Sequence, residues 1–394
     1  MSALLPGIRV VELTTMITGS LAGMMLADLG AEVVKVENPE GGDPFRSFRG
    51  GLYSAHFCAY NRNKRSVALD LRAAEGKAAL EALIAASDVL IVNFRPGVLE
   101  RLGFGDARLA ELNPRLVACH ISGFGADGPY AHRPAYDAVA QALSGMSSLF
   151  LDPEDPRIAG PTISDNVTGQ YACYGILGAL LARERTGQGR RVDVNMLDST
   201  LAFMPDPFGY FTQMGLVSDP QLRTRTSQSY AFRCADGRLV TIHLSSQEKF
   251  WRQFVELIGL PEMLTDPLTA TRNLRLENYE HIRHRAAAVF IERPLAAWLD
   301  ALAATDLPYA PVYNVSEVLD DPQVRHLGSF TDLEHPEMGT VKAIRRPVLF
   351  DGDRADQPLK APPMLGEHTA EVLAELGIGE DVADRSGAMG KKLA

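Results

Sequence analysis

The feature that most constrains this chain is a strand–helix–strand repeat at its start. Ile8–Leu13 reads as a strand, and Thr18 to Leu29 as a helix whose small Gly19, Ala22 and Gly23 permit close packing. Glu32-Val-Val-Lys-Val-Glu37 then reads as a second strand. A β-α-β unit of about 30 residues opens a parallel sheet with helices on its faces. Acidic Glu37 at the end of the second strand fits a dinucleotide site. The connecting loop, Leu13-Thr-Thr-Met-Ile-Thr-Gly19, argues against one, because it lacks the G-x-G-x-x-G that lets a pyrophosphate approach the backbone. The loop can still serve another ligand.

The alternation continues along the chain. Ala73 to Ala86 is helical and Asp88–Asn93 is a nearly all-apolar third strand, as a central parallel strand should be. Short helices follow at Val98–Gly103 and Asp106–Leu112, then a fourth strand at Leu116–Ile121. The turn-rich Ser122–Tyr130 loop lies at the strand end where open α/β sheets place ligands. A helix begins near Tyr136, and Arg191–Asn195 is a further strand. Arg62, Lys64, Arg65, Arg72, Arg95 and Arg101 recur where loops leave these strands. Each alone reads as solvated surface, but together they suggest a phosphate-rich ligand.

Between these elements, Ala159-Gly-Pro161 precedes Ile163-Ser-Asp-Asn-Val-Thr-Gly-Gln170 and then the apolar run Tyr171–Ala182, a buried helix starting at or just after Asp165. Asp165 has two readings: a helix N-cap, or a carboxylate nucleophile in the positive field of a helix terminus. Sequence spacing alone leaves both open.

After residue 205 the pattern changes. Ser218 to Ser229 reads as a linker, and Tyr230–Ile242 as a hairpin turning at Asp236-Gly237. Ser245-x-x-Glu248 matches a capping box before a helix with Phe250, Trp251, Phe254, Val255 and Ile258 on one face. Helices near Glu280–Ile291 and Pro294–Ala304 complete a small α+β domain at 225–325. Its His281 and His284 have no carboxylate or cysteine framework for a metal. A last helix starts at His368 or Thr369, and the polar tail beyond Gly377 is expected to fray or to pack on a neighbour.

At 394 residues the chain exceeds one ordinary core, so two domains are expected. A net charge of −10 argues against nucleic acid as a partner. No apolar run reaches the ~20 residues of a membrane span, and no leader pattern is evident. Cys58, Cys119, Cys173 and Cys234 form no C-x-x-C pair, which fits reduced thiols and a cytoplasmic location. Asn166-Val-Thr168 and Asn314-Val-Ser316 are read as chance glycosylation matches.

Seven segments then fall in a familiar order. They are Leu29–Glu37, Asn61–Asp70, Val92–Gly97, Pro134-Ala-Tyr-Asp137, Ser164–Gly169, Arg185–Arg190 and Leu365–Thr369. With them the chain resembles, nearly end to end, the class III CoA-transferase family, which also includes α-methylacyl-CoA racemase. The resemblance implies a Rossmann-like α/β large domain, 1–224, completed by the C-terminal segment 326–394. It implies an interlocked homodimer, acyl-CoA and a small carboxylic acid as partners, and coenzyme A as substrate with no tightly bound cofactor.

The family's catalytic aspartate falls on Asp165. Its CoA-contacting positions fall on Met16, Ile17, Thr18, Leu69, Arg72, Asn93, Phe94, Arg101 and Tyr136. Asn38 stands where a basic residue often meets the adenosine phosphates, so Arg46, Lys64 or Arg65 are expected to compensate. The racemase branch has a His beside an Asp at Tyr136-Asp137, and tyrosine fills that acid/base role poorly near neutral pH, which favours the transferase branch. The glycine-rich loop of formyl-CoA transferase is not apparent, which argues against formyl or oxalyl substrates.

Overall fold

Valine- and isoleucine-rich runs build the centre of the molecule. The computed structural model describes residues 4–48, 51, 53–352 and 359–379. The polar tail beyond Gly377 lies almost wholly outside the described residues. The chain divides into two compact units: Met1–Ser147, Ile158–Pro205 and His326–Ala394 form one, Ser148–Arg157 and Asp206–Arg325 the other.

In the first unit the elements run β1 (Arg9–Leu13), α1 (Thr18–Asp28), β2 (Glu32–Glu37), α2 (Ala55–Tyr60), β3 (Lys64–Ala68) and α3 (Ala74–Ala85). They continue β4 (Val89–Val92), α4 (Val98–Arg101), α5 (Asp106–Leu112), β5 (Val117–Ser122), α6 (Asp137–Leu143), α7 (Ile163–Thr186), β6 (Arg191–Asn195) and α8 (Met196–Phe203). The six strands form a parallel sheet in the order β3-β2-β1-β4-β5-β6. The order reverses beside β1, and a crevice opens there at the carboxyl ends of the strands. Two apolar layers cover the sheet. Leu80, Leu83 and Ile84 of α3, with Val372 and Leu373, lie on one face; Ala22 and Leu26 of α1, with Ala172, Cys173 and Ile176 of α7, lie on the other.

The strand β3 corrects the sequence reading, which took its residues as an exposed basic cluster. Lys64, Ser66, Val67 and Ala68 are buried, and the cations face acids inside the fold instead of water. The C-terminal segment docks beside this strand: the His368 N–H donates to the Ser66 carbonyl at 3.0 Å, and the Ala68 N–H to Thr369 Oγ1 at 3.0 Å. The helix Thr369–Glu375 follows at once. A hairpin of Phe330–His335 and Gly339–Ile344 belongs to the same unit and was not foreseen.

The second unit holds β7 (Ser229–Arg233), β8 (Leu239–His243) and β9 (Tyr309–Pro311) in one antiparallel sheet. Tyr230, Phe232, Trp251, Phe254, Phe290 and Trp298 form its core. The expected capping box is absent. Ser245 sits at φ 54, Gln247 is the N-cap of the helix Glu248–Leu257 without a side-chain bond, and Glu248 pairs with buried Arg275. The expected linker at 218–229 contains a short helix, Leu222–Thr226. Among the described residues no helix is long and apolar enough to cross a membrane. Nor does any group of three or more His, Cys, Asp or Glu suit a metal ion.

Candidate active site

The site grows from the first turn of α7. Pro161 precedes the helix and Thr162 is its N-cap, so Asp165 is its third residue and not the cap. Asn166 secures the turn locally, donating through Nδ2 to the Thr162 carbonyl at 2.6 Å and to Thr162 Oγ1 at 3.0 Å. Buried Ser164 is held by α8, whose Thr200 hydroxyl donates to Ser164 Oγ at 2.8 Å. One turn on, Gly169 meets α1 so closely that a Cβ there would lie 2.6 Å from the Thr18 carbonyl oxygen and 2.9 Å from Leu21 Cβ. Tyr60 donates its hydroxyl to Asn166 Oδ1 at 3.3 Å. Helices α1, α2 and α8, with α6 through Asp137, thus fix one helical turn.

Asp165 itself is half-buried, and its carboxylate has no hydrogen-bond partner among the described residues. Its backbone N–H donates to Asp137 Oδ1 at 3.1 Å. Burial first, and the charge of Asp137 second, push the Asp165 carboxyl up to about 7. An ordinary aspartate titrates near ~4, so Asp165 holds its proton to higher pH than its type suggests. The Asp165 N–H is also unavailable to an oxyanion while Asp137 holds it.

A second constellation lies at the ends of β1, β2 and β4. The loop after β1 turns through Met16 at φ 66, a left-handed conformation uncommon outside glycine. Asn93 clamps it: Oδ1 accepts the Thr15 N–H at 3.0 Å, while Nδ2 donates to the Thr15 carbonyl at 2.7 Å and to Thr18 Oγ1 at 3.2 Å. Asp43 Oδ1 accepts the Met16 N–H at 3.2 Å, and its Oδ2 pairs with Lys35 Nζ at 2.9 Å. Lys35 also meets Glu12 at 2.9 Å and the Thr14 carbonyl at 2.9 Å, and Lys64 pairs with the other Glu12 oxygen at 2.8 Å. Glu12, Lys35 and Lys64 are fully buried side chains. Burial alone would raise Glu12, but the two lysines outweigh it and hold the carboxyl down at about 2.

This network engages the residues expected to compensate at Asn38. Arg46 is fully buried and makes two 2.7 Å bonds to Glu37; Lys64 belongs to Glu12; Arg65 pairs with Glu32, Glu371 and Glu375; Arg62 pairs with Asp28. None of the three proposed substitutes for a basic residue at Asn38 is free to meet a ligand. Arg95 and Arg101 are exposed, and Arg72, also exposed, pairs with Asp70.

A cavity of about 270 Å³ fills the crevice at the strand ends. Leu69, Arg72 and Phe94 line it, with Asn38, Thr14, Thr15 and Leu102. Met16, Ile17, Thr18, Asn93, Arg101 and Tyr136 do not line it. Ile17 packs instead with Phe45, Tyr53 and Phe57, and Asn93 spends its amide on the loop. Tyr136 is the N-cap residue of α6 and is 67% exposed.

Asp137 and Gln141 were the principal omissions. A carboxylate opening a helix with an amide four residues later is a readable pair, but nothing in one sequence connects it to Asp165.

A model of the CoA-transferase family III matches residues 5–369. The chain belongs to CoA-transferase family III. It is therefore a CoA transferase, and transfer of CoA to a carboxylic acid is its general activity. This transferase is 33% identical to the succinyl-CoA:glutarate CoA-transferase of Mus musculus, the match covering 94% of this chain and 86% of that one. It is also 33% identical to a formyl-CoA:oxalate CoA-transferase of Escherichia coli, over 97% of each. Its fold matches a CAIB/BAIF family protein from Brucella suis with a TM-score of 0.82, at 31% identity over 94% and 98% of the two chains. A hypothetical protein from Mycobacterium tuberculosis matches with a TM-score of 0.83, at 31% identity over 94% and 99%.

Proposed function

We propose that Asp165 is the nucleophile that carries CoA between a donor acyl-CoA and an acceptor acid. Its carboxylate oxygen attacks the donor thioester, the C–S bond breaks, and CoA leaves as thiolate with a mixed anhydride on Asp165. The thiolate attacks the aspartyl carbonyl, releasing the donor acid and leaving an Asp165–CoA thioester. The acceptor carboxylate attacks that thioester and frees the thiolate, which then takes the new acyl group and restores Asp165. Charge balances at each step, and a carboxylate and a thiolate supply all the nucleophiles.

The observation that carries this reading is an unbonded, half-buried carboxylate on a turn fixed by four elements. A helix terminus contributes only ~0.3–2 kcal/mol to such chemistry. Holding thiolate, carboxylate and acyl carbon together supplies ~7–11 kcal/mol when orientation is good. Free N–H groups of the α7 turn other than that of Asp165 would serve the tetrahedral oxyanions.

The crevice cavity is assigned to CoA. Apolar Leu13, Leu69, Leu71 and Phe94 suit a ring system or pantetheine chain, while exposed Arg72, Arg95 and Arg101 suit phosphates. Exposed Tyr136, Val139 and Leu143 of α6, with Tyr174 and Leu181 of α7, support a homodimer that covers them. Tyr136 in place of an acid/base histidine supports transfer over racemisation. The named acceptors of the mouse and E. coli relatives are both dicarboxylic acids, so dicarboxylates head the acceptor class proposed for this chain. A panel of acyl-CoA donors against mono- and dicarboxylic acids, read by mass spectrometry, tests the assignment. Transfer to at least one acid by the wild type, and none by Asp165→Ala, is the expected result.

A further inference from the structure

A second carboxylate reaches the first turn of α7, and among the described residues no cation forms an ion pair with it. Asp137 Oδ1 accepts the Asp165 N–H at 3.1 Å, and its Oδ2 accepts Gln141 Nε2 from one turn along α6. Gln141 is buried and also donates to the Pro161 carbonyl at 3.3 Å, which ties Asp137 to the segment leading into α7. These two bonds fix the Asp137 carboxyl at the first turn of α7.

Among the described residues, the other elements around this turn bring no charge. Helix α1 contributes the Thr18 carbonyl and Leu21, α2 the Tyr60 hydroxyl, and α8 the Thr200 hydroxyl. Strand β5 brings Cys119 beside Cys173, and β6 meets the helix further along, where Gly175 faces Val192. Asp137 is thus the charge that Asp165 meets.

Resting on the reading of Asp165 as nucleophile, we propose that Asp137 is a positioning residue that favours the acylated forms of Asp165 over its free carboxylate. An ionised Asp165 is an anion beside an anion. When its oxygen bonds to the acyl carbon and the thioester C–S bond breaks, the charge leaves on the thiolate and the repulsion is relieved. No proton moves in that step. The anhydride and the Asp165–CoA thioester are both neutral at this position, so both gain relative to the resting enzyme. Burial contributes the larger part of the raised basicity of Asp165 and Asp137 the second part, so removing the Asp137 charge should lower it only partly.

The test uses Asp137→Asn, whose carbonyl can still accept the Asp165 N–H while the charge is gone, and Asp137→Glu, which restores the charge. Carbodiimide–amine labelling of Asp165, read by peptide mass spectrometry across pH, gives its titration midpoint without substrate. The midpoint should lie near 7 in the wild type. It should fall by about one pH unit in Asp137→Asn and return toward the wild-type value in Asp137→Glu. With succinyl-CoA as probe, the fraction of enzyme carrying an Asp165–CoA adduct should drop several-fold in Asp137→Asn. An unmoved midpoint in Asp137→Asn would overturn the inference while leaving Asp165 as nucleophile. Absence of any Asp165 adduct in the wild type would overturn the nucleophile reading itself, whatever the midpoint does.

Discussion

Asp137 accepts the backbone N–H of Asp165 at 3.1 Å, so one carboxylate fixes the chain that carries the other. The two acids lie in the first turns of different helices, α6 and α7, and are 28 residues apart in sequence. Burial first, and this neighbour second, raise the Asp165 carboxyl.

The first consequence is kinetic. With the Asp165 carboxyl at about 7 in the free enzyme, kcat/KM should rise with pH along an acid limb centred there and level off above it. Initial rates across pH 5 to 9, on the donor–acceptor pair found by the panel, measure this limb. A plateau already reached at about pH 5 would mean that an ordinary carboxylate does the work.

The same shift affects stability with the opposite sign to the usual aspartate. Its folded value lies well above that of an ordinary aspartate, so between the two the folded state holds a proton that the unfolded chain has lost. Stability from this group therefore falls as pH rises from about 4 to about 7. Asp165→Asn should fold normally, match the wild type near pH 4, and exceed it near pH 8 by about 1–3 kcal/mol after allowance for partial solvent screening. Urea unfolding at the two pH values checks this.

The network around Glu12 behaves in the conventional direction. Glu12 is held at about 2, below an ordinary glutamate, so its contribution is present above about pH 4.5 and lost as pH falls toward 2. Lys35→Met leaves Glu12 and Asp43 one partner short in a dry site, and removal of one member of a buried pair costs about 3–5 kcal/mol. It should also release the Met16 turn and weaken CoA binding. Chemical denaturation and calorimetry with CoA report the two effects separately.

Gly169 is the contact that seats α7 on α1. A Cβ at this position would meet backbone oxygen at 2.6 Å, and backbone has little room to yield. Gly169→Ala should destabilise the protein by about 1–3 kcal/mol, seen as a lower urea midpoint, and reduce transfer by displacing the turn that carries Asp165.

Much of this architecture is legible in the sequence because period and composition are local signals. The β1–α1–β2 unit, the apolar β4 and the long α7 all follow from runs of a few residues. The strand β3 does not, because Lys64 and Arg65 look like surface until Glu12 and Glu32 are brought beside them. The expected substitutes for a basic residue at Asn38 are committed to acids for the same reason. Charge in a sequence carries no record of its partner, and Arg46 belongs to Glu37 nine residues away. At Ser245 a correct local motif lost to tertiary context, since Glu248 is drawn to Arg275. Asp165 stood out by its place before an apolar helix, whereas Asp137 became part of the site only through folding.

Covalent trapping of Asp165 tests the central claim most directly. Wild-type enzyme incubated with acyl-CoA and quenched with hydroxylamine or borohydride should yield a peptide modified at Asp165, and Asp165→Ala should yield none and transfer no CoA. Modification at another residue, or substantial transfer by a folded Asp165→Ala variant, would contradict the account.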